Sequence, residues 1–190
     1  MKKAISVLLG LLLALSVTAC SETNDEEMSI QPSEFSEETL EVLELFDDEI
    51  QFFDISYEPS AKYQKLSVWV YRDGQWKEEG KVLGEPERVK EKIAVGLTET
   101  SCVLYGVDET GHCEYRYPEL NTDFDKSMIL TESKIDKKTS ISLQKEIPLW
   151  VKVGTNANQI QSIDMENFKK SECDTGVAVT LTVSDQPFES

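Results

Sequence analysis

The sequence contains a single histidine, His112, and few basic residues: 19 lysines and arginines stand against 36 aspartates and glutamates. One imidazole excludes metal sites and catalytic arrangements that need two histidines. A formal charge of −17 argues against nucleic-acid binding, which needs a basic surface to displace counterions from phosphates. The motifs GxSxG and HExxH and a glycine-rich phosphate loop are missing as well. We therefore expect no nucleic-acid partner and assign no cofactor.

The one long apolar run lies at the N-terminus, where two lysines precede the segment Ile5–Leu15. It is shorter than the roughly 20 residues that span a bilayer, and its layout is that of a secretory signal. The Val17–Cys20 stretch that follows resembles the lipobox of bacterial lipoproteins. The resemblance implies cleavage after Ala19 and a diacylglyceryl group on the thiol of Cys20. An ordinary signal peptide with a chance cysteine is the alternative.

Two acyl chains hold a protein stably on a membrane. We therefore expect attachment through the lipid on Cys20, at the extracytoplasmic face of the cell membrane. Residues 1–19 are then the signal peptide. Residues 20–33 are acidic and nearly free of large apolar side chains, which predicts a flexible tether. Residues 34–190 are expected to form a single domain.

The domain is predicted to begin with one short helix. Ser36 is a suitable N-cap, and Glu37 and Glu38 stand in the first turn, where the helix dipole favours negative charge. Leu40 and Val42 belong to an apolar stripe that continues to residue 46. We expect this stripe to dock on the rest of the domain, because a helix of about three turns is marginal alone.

From Ile50 onward the apolar residues recur with period two, which predicts about nine short strands. Asp73 and Gly74 form the strongest hairpin signal. Segments 127–135 and 139–145 are predicted to form another hairpin around residues 136–138, and a short helical turn is predicted over 164–170. Strand–helix alternation is missing, so we predict a mainly β fold, an antiparallel β-sandwich.

Three cysteines remain beside Cys20, so at least one is unpaired. Cys102 and Cys113 flank one predicted turn, which makes a disulfide between them conceivable. A symmetric turn, however, places Cys102 opposite Tyr117, and a disulfide would need a shifted register. Free, partly buried thiols at Cys102, Cys113 and Cys173 are the default expectation.

Aromatic residues on two predicted strands form the candidate ligand surface. If Leu66, Val68 and Val70 face the core, then Trp69 and Tyr71 point outward, and the alternation around residue 150 directs Trp150 outward as well. Such rings can form a platform for a sugar or for a protein partner. The alternative is that the helix, a loop or a strand edge covers them.

A turn-rich acidic stretch supplies candidate calcium ligands. Asn121, Asp123 and Asp125 alternate, and Glu132 stands where a bidentate carboxylate closes a calcium loop. The glycine that this loop requires is replaced by Lys126, and flanking helices are not predicted. A plain solvated acidic loop is the alternative.

The body of the chain resembles lipoproteins of Gram-positive bacteria. The resemblance rests on the segment Leu66–Trp76, on Lys145–Leu149 followed by Gly154–Asn156, and on Val177–Thr180. It implies a location and a fold and carries no activity over to this chain.

These features predict a lipid-anchored extracytoplasmic domain that binds a protein or carbohydrate partner without catalysis. The alternative is a carbohydrate-active or other hydrolase that uses a pair of carboxylates in a sandwich cleft. A solute-binding partner of a transporter is disfavoured, because about 150 residues is short for two lobes around a hinge.

Overall fold

Alternating apolar and polar residues form β-strands in the computed structural model, which describes residues 27–43, 50–98, 101–108, 111–117, 120, 122, 124–125, 127–156 and 162–189. All strand pairs are antiparallel, and they form two sheets arranged as a sandwich. The predicted mainly β fold is confirmed, with eleven strands in the described part of the chain where about nine were expected.

The first sheet contains six strands. They are β1 (Ser29–Pro32), β2 (Ile50–Ser56), β5 (Lys90–Leu97), β6 (Cys102–Asp108), β7 (Gly111–Tyr117) and β9 (Thr139–Ser140). Their order across the sheet is β7-β6-β5-β2-β1-β9, so β7 and β9 are its edges.

The second sheet contains five strands. They are β3 (Tyr63–Arg72), β4 (Gln75–Gly84), β8 (Ile129–Lys134), β10 (Glu146–Thr155) and β11 (Thr175–Ser184). Their order is β4-β3-β11-β10-β8, so β4 and β8 are its edges. Two helical segments complete the described elements, α1 (Glu37–Leu43) and a 3₁₀ helix (Met165–Lys170), and the latter confirms the predicted turn over 164–170.

The main hydrophobic core lies between the sheets, where inner-facing residues such as Phe53, Val68 and Leu181 are fully buried. A second apolar cluster covers the outer face of the five-stranded sheet and includes Ala178 on β11 and Phe168 of the 3₁₀ helix. All ten residues of β11 are therefore buried, because this central strand is covered on both faces.

The hairpin predicted at Asp73–Gly74 is confirmed. Both residues have positive φ angles, 54° for Asp73 and 79° for Gly74, and β3 and β4 pair on either side of them. Such angles at both central positions match the right-handed twist of the flanking strands, which is why Asp-Gly is favoured there.

The second predicted hairpin, over 127–145, is wrong. β8 pairs with β10 in the five-stranded sheet, whereas β9 pairs with β1 in the six-stranded sheet. Ile135 and Ile141, on either side of the connection, are both buried in the inter-sheet core. Because both side chains are buried in the core, the chain crosses from one sheet to the other here and does not form a tight turn within one sheet.

The predicted tether is too long at its C-terminal end. Residues 29–32 form β1, which pairs with β2 on one side and with β9 on the other, and Met28 and Ile30 are buried. Met28 and Ile30 alone do not predict a strand from the sequence, because the stability of β1 comes from its pairing with β2 and β9. The ordered domain therefore includes residues before 34, and residues 20–26 lie outside the described ranges.

Helix α1 has the predicted cap but not the predicted docking. Ser36 Oγ accepts a hydrogen bond from the backbone N–H of Thr39 at 3.3 Å. None of the seven helical residues is buried, and Leu40 and Val42 are 47% and 54% exposed. The inner face of the sheet is already covered by the second sheet, so the described part of the apolar stripe stays on the surface.

Candidate functional site

The outer face of β3 carries the first aromatic candidates as predicted. Leu66, Val68 and Val70 face the inter-sheet core, while Trp69 belongs to the cluster on the opposite face. The Tyr71 ring contacts the Trp76 ring edge-on, with centroids 5.6 Å apart. The outer face of this sheet is therefore rich in aromatic rings.

The 3₁₀ helix covers these rings. Its Phe168 is 2% exposed and contacts Trp76 edge-on, with centroids 5.0 Å apart. Burial of a side chain of this size stabilises a fold by about 1.5–3 kcal/mol. The adjacent Lys169 places its Nζ 3.4 Å from the centroid of the Trp69 ring, which is a cation–π contact.

Polar contacts hold the 3₁₀ helix against the aromatic rings. Trp69 Nε1 donates to Thr180 Oγ1 at 3.2 Å, and Thr180 Oγ1 donates to Glu146 Oε1 at 2.8 Å. Glu146 in turn forms an ion pair with Lys169, which closes the network at the Trp69 ring. Trp69 is thus engaged within the domain, in agreement with the alternative that the rings are covered.

The expectation that Trp150 points outward is wrong. The register of β10 against β11 shifts between Pro148 and Trp150, so one extra residue interrupts the alternation. Leu149 and Trp150 consequently both face the inter-sheet core, and Trp150 is 0% exposed. Trp69, Tyr71 and Trp150 do not form a common platform. Pro148 was the available signal, because a proline inside a strand often marks a bulge.

A cleft of about 1000 Å³ opens between the two sheets, where the end of β4 faces β5, β6 and β7. Its apolar lining comes from inner-facing residues of both sheets: Ile55, Leu66, Val82, Ile93 and Leu104. Glycines at positions 84 and 106 and a cysteine at position 113 also line it, and these small residues leave the inter-sheet space unfilled.

An aromatic ring closes the gap between the sheets beside this cleft. Tyr117 on β7 reaches across to β4, where a Cβ on Gly80 would lie only 2.2 Å from its Cε1. Gly80 therefore makes room for the ring. Cys113 and Tyr115, on the same strand, line the cleft.

A hydrogen-bond network orders one side of the cleft rim. The Tyr57 hydroxyl donates to Gln64 Oε1 at 2.6 Å, and Gln64 Nε2 donates to Glu91 Oε2 at 3.1 Å. The other oxygen of Glu91 accepts from the backbone N–H of Glu87 at 2.7 Å. Burial raises the pKa of Tyr57 above its ordinary value, so the hydroxyl remains a donor.

The rim carries charges of both signs. Its carboxylates are Asp54, Glu85, Glu87 and Glu91, and its cations are Arg88, Lys90 and Lys92. Lys92 forms an ion pair with Asp54 and donates to Ser33 Oγ at 2.6 Å. Four acids against three bases make this rim less acidic than the chain as a whole, where acids outnumber bases 36 to 19. The cleft therefore suits a ligand with little net charge.

The cysteines follow the symmetric register predicted for their hairpin. Cys102 lies opposite Tyr117 and Cys113 lies opposite Gly106, and Cys102, Cys113 and Cys173 are all free thiols. Burial raises the pKa of the Cys102 thiol to about 12, and burial together with Asp174 raises that of Cys173 to about 12. Cys113 is exposed at the cleft and is the most exposed of the three thiols, since Cys102 is buried and Cys173 is half-buried.

The candidate calcium ligands are only partly described. Asp125 Oδ1 accepts hydrogen bonds from the N–H and Oγ of Ser127 at 2.8 and 3.0 Å, and these bonds lower its pKa. Glu132 forms an ion pair with Lys134 at 3.2 Å. Asn121 and Asp123 lie outside the described residues. Within the described ranges, no group of three or more histidine, cysteine, aspartate or glutamate side chains is placed to hold a metal.

The cleft was not predicted from the sequence. Its lining comes from strands that are far apart along the chain, and its volume depends on small residues opposite one another. Glycines inside strands, as at 84 and 106, were the one available signal, because a glycine in a strand often marks a special packing site.

Cys20 and the apolar run before it lie outside the described residues. In the described part of the chain, no helix has the length and hydropathy needed to cross a bilayer. Comparison of the chain with protein-family models, curated proteins and solved structures finds no match.

Replacement of the buried Trp150 by alanine tests its position in the core. We expect Trp150→Ala to lower the free energy of unfolding by about 3–5 kcal/mol, because it leaves a large cavity between the sheets. Leu130→Ala is the control: this residue is 46% exposed on the neighbouring strand, and the change should stay within about 0.5 kcal/mol. Urea unfolding measures both, and equal small losses would contradict the buried position.

Proposed function

We propose that this protein is a lipid-anchored domain on the extracytoplasmic face of the cell membrane, where it binds a partner in the inter-sheet cleft without catalysis. The sequence Val17–Cys20 after the apolar run supports the anchor. A diacylglyceryl group on Cys20 inserts two acyl chains, so the domain itself buries nothing in the bilayer.

The observation that carries the binding proposal is the composition of the cleft. Ligand sites are mostly concave and apolar, with a few polar groups that fix orientation, and they commonly measure about 300–1,000 Å³. The cleft has this character, since its apolar lining is flanked on one side by Gln64 and Glu91, which the hydrogen bond from Tyr57 helps to order. A ligand that combines an apolar group with a weakly charged polar edge satisfies both parts.

A protein partner fits the cleft better than a carbohydrate does. Sugar rings bind well to flat exposed aromatic surfaces, and the surface predicted for that purpose is not available. Trp150 is buried, and Trp69 is engaged by Lys169 and Thr180. A protein loop that inserts one apolar side chain requires only the existing cleft.

Binding is also better supported than the alternative of hydrolysis. A glycosidase-type mechanism needs two carboxylates that are free to act on one bond. Two of the four rim carboxylates are engaged within the domain: Asp54 is paired with Lys92, and Glu91 accepts from both Gln64 and the backbone of Glu87. These contacts give the two carboxylates a role in ordering the rim.

Metabolic labelling with an alkynyl palmitate analogue tests the anchor. We expect the wild-type chain to acquire the label and to fractionate with membranes, and the Cys20→Ala chain to lose the label. Replacement of the exposed Cys113 by alanine is the control for incidental thiol acylation and should leave the label intact. Persistence of the label in Cys20→Ala would contradict the anchor.

Photo-crosslinking in intact cells tests the cleft. Leu83 at the cleft and Leu130 on the far edge strand are closely matched, with exposures of 44% and 46%. We expect p-benzoylphenylalanine at position 83 to give a discrete adduct with another protein, and the same group at position 130 to give none. Mass spectrometry identifies the adduct.

A substitution inside the cleft tests the same proposal. The adduct from position 83 should weaken severalfold when Val82, which lines the cleft, is changed to glutamate in a chain that keeps its circular dichroism spectrum. Equal adducts from positions 83 and 130, no adduct from 83, or an adduct containing only a second copy of this chain would contradict binding of a partner in the cleft.

A further inference from the structure

Each sheet ends in two edge strands, and an edge strand readily pairs with another chain unless something blocks it. Three of the four edges are blocked. β9 has only two residues. β4 has an irregular register opposite Val68 and Trp69, and it carries charges at four of its positions, 77, 78, 79 and 81.

The third blocked edge is β8, which carries charges on its inner side. Its Lys134 lies opposite Trp150, which faces the core, and the Lys134 Nζ is 3.9 Å from the centroid of that ring. Glu132, two residues away, lies on the same face and pairs with Lys134. Inward-facing charges of this kind disfavour the addition of another strand.

β7 is neither short nor irregular in register, and it carries no inward-facing charge. It is seven residues long, contains no proline, and pairs with β6 in an unbroken register. Its inner-facing residues are uncharged: Tyr117 reaches the other sheet, and Cys113 and Tyr115 line the cleft. Every residue from Gly111 to Arg116 is exposed, and Tyr115 is 47% exposed.

The outer face of β7 carries charges of both signs. Glu114 and Arg116 are two residues apart and share this face, where Arg116 Nε donates to Glu114 Oε1 at 2.9 Å. His112 lies on the same face by alternation. Glu114 of one copy of the strand can also form an ion pair with Arg116 of a second copy.

We propose that β7 pairs antiparallel with β7 of a second copy of this chain, in the register that places Glu114 of each copy opposite Arg116 of the other. This pairing joins two six-stranded sheets across a two-fold axis at Tyr115. It brings two exposed tyrosine rings together and adds backbone hydrogen bonds at an edge that no other described strand covers. The proposal does not depend on the partner-binding function.

Charge selects this register among the symmetric ones. Self-pairing that keeps inner-facing residues on one face must be centred on a single residue. A centre at Glu114 or at Arg116 places like charges opposite each other, and a centre at Cys113 leaves Arg116 without an acidic residue opposite. A centre at Tyr115 gives each Glu114 an arginine and each Arg116 a glutamate.

Disulfide trapping in membranes tests the pairing with the full-length chain. Directly opposite residues of antiparallel strands have Cα atoms about 4.5–5.5 Å apart, within the range that a disulfide spans. In a Cys113→Ser background, mild oxidation should link Tyr115→Cys chains into dimers on non-reducing gels. Leu130→Cys, on the blocked edge β8, is the matched control and should give at least tenfold less dimer.

Charge reversal tests the register. In the trapping background, Arg116→Glu or Glu114→Arg alone should reduce the dimer at least tenfold, because like charges then face each other. Coexpression of these two variants with different tags should restore a mixed dimer, since every opposing pair is again of opposite sign. Both residues are exposed, so the variants should keep the wild-type circular dichroism spectrum.

Other outcomes would overturn the proposal. These are the absence of a Tyr115→Cys dimer, an equal yield from Leu130→Cys, a dimer that charge reversal leaves unchanged, and, in the wild-type chain, a Cys113–Cys113 linkage, which needs the register centred on Cys113.

Discussion

The structure depends on how the inner faces of two sheets fill the space between them. Protein interiors are packed as densely as organic crystals, so any stretch of small residues leaves a measurable gap. Large inner-facing side chains such as Phe53 and Trp150 fill the middle of the sandwich. At one corner the residues at 84, 106 and 113 are small, and the cleft is the space between the sheets that side chains do not fill there. The ring of Tyr117, seated on Gly80, marks the boundary between the filled and the open part.

Period-two alternation predicted most of the strands, because it states directly which residues face a shared core. The Asp73–Gly74 turn and the position of Cys102 opposite Tyr117 also followed from local rules of backbone geometry. The facing of Trp150 did not, since a single-residue bulge reverses every later side chain and alternation alone does not locate it. The composition of β1 predicts tether and not strand, because its pairing partners stabilise it.

For the candidate site, the sequence predicted that Trp69 and Tyr71 lie on the outer face of β3, but it did not predict what covers them. The 3₁₀ helix covers the rings through Phe168 and Lys169, and no pattern within β3 indicated which distant segment would do so. The cleft has the same origin, because residues from seven strands, β1 to β7, meet there only after the sheets have packed. Tertiary contact therefore determined both the loss of the expected surface and the appearance of another.

The cleft and the β7 edge lie at the same corner, since Cys113 and Tyr115 of β7 line the cleft. An opening between the sheets there is the central claim, and methyl NMR relaxation with a soluble nitroxide measures it most directly. We expect strong enhancement at the methyl groups of Val82, which faces the cleft and is partly exposed, and little at those of the fully buried Val68 and Val179. Equal protection of all three residues would contradict an open cleft.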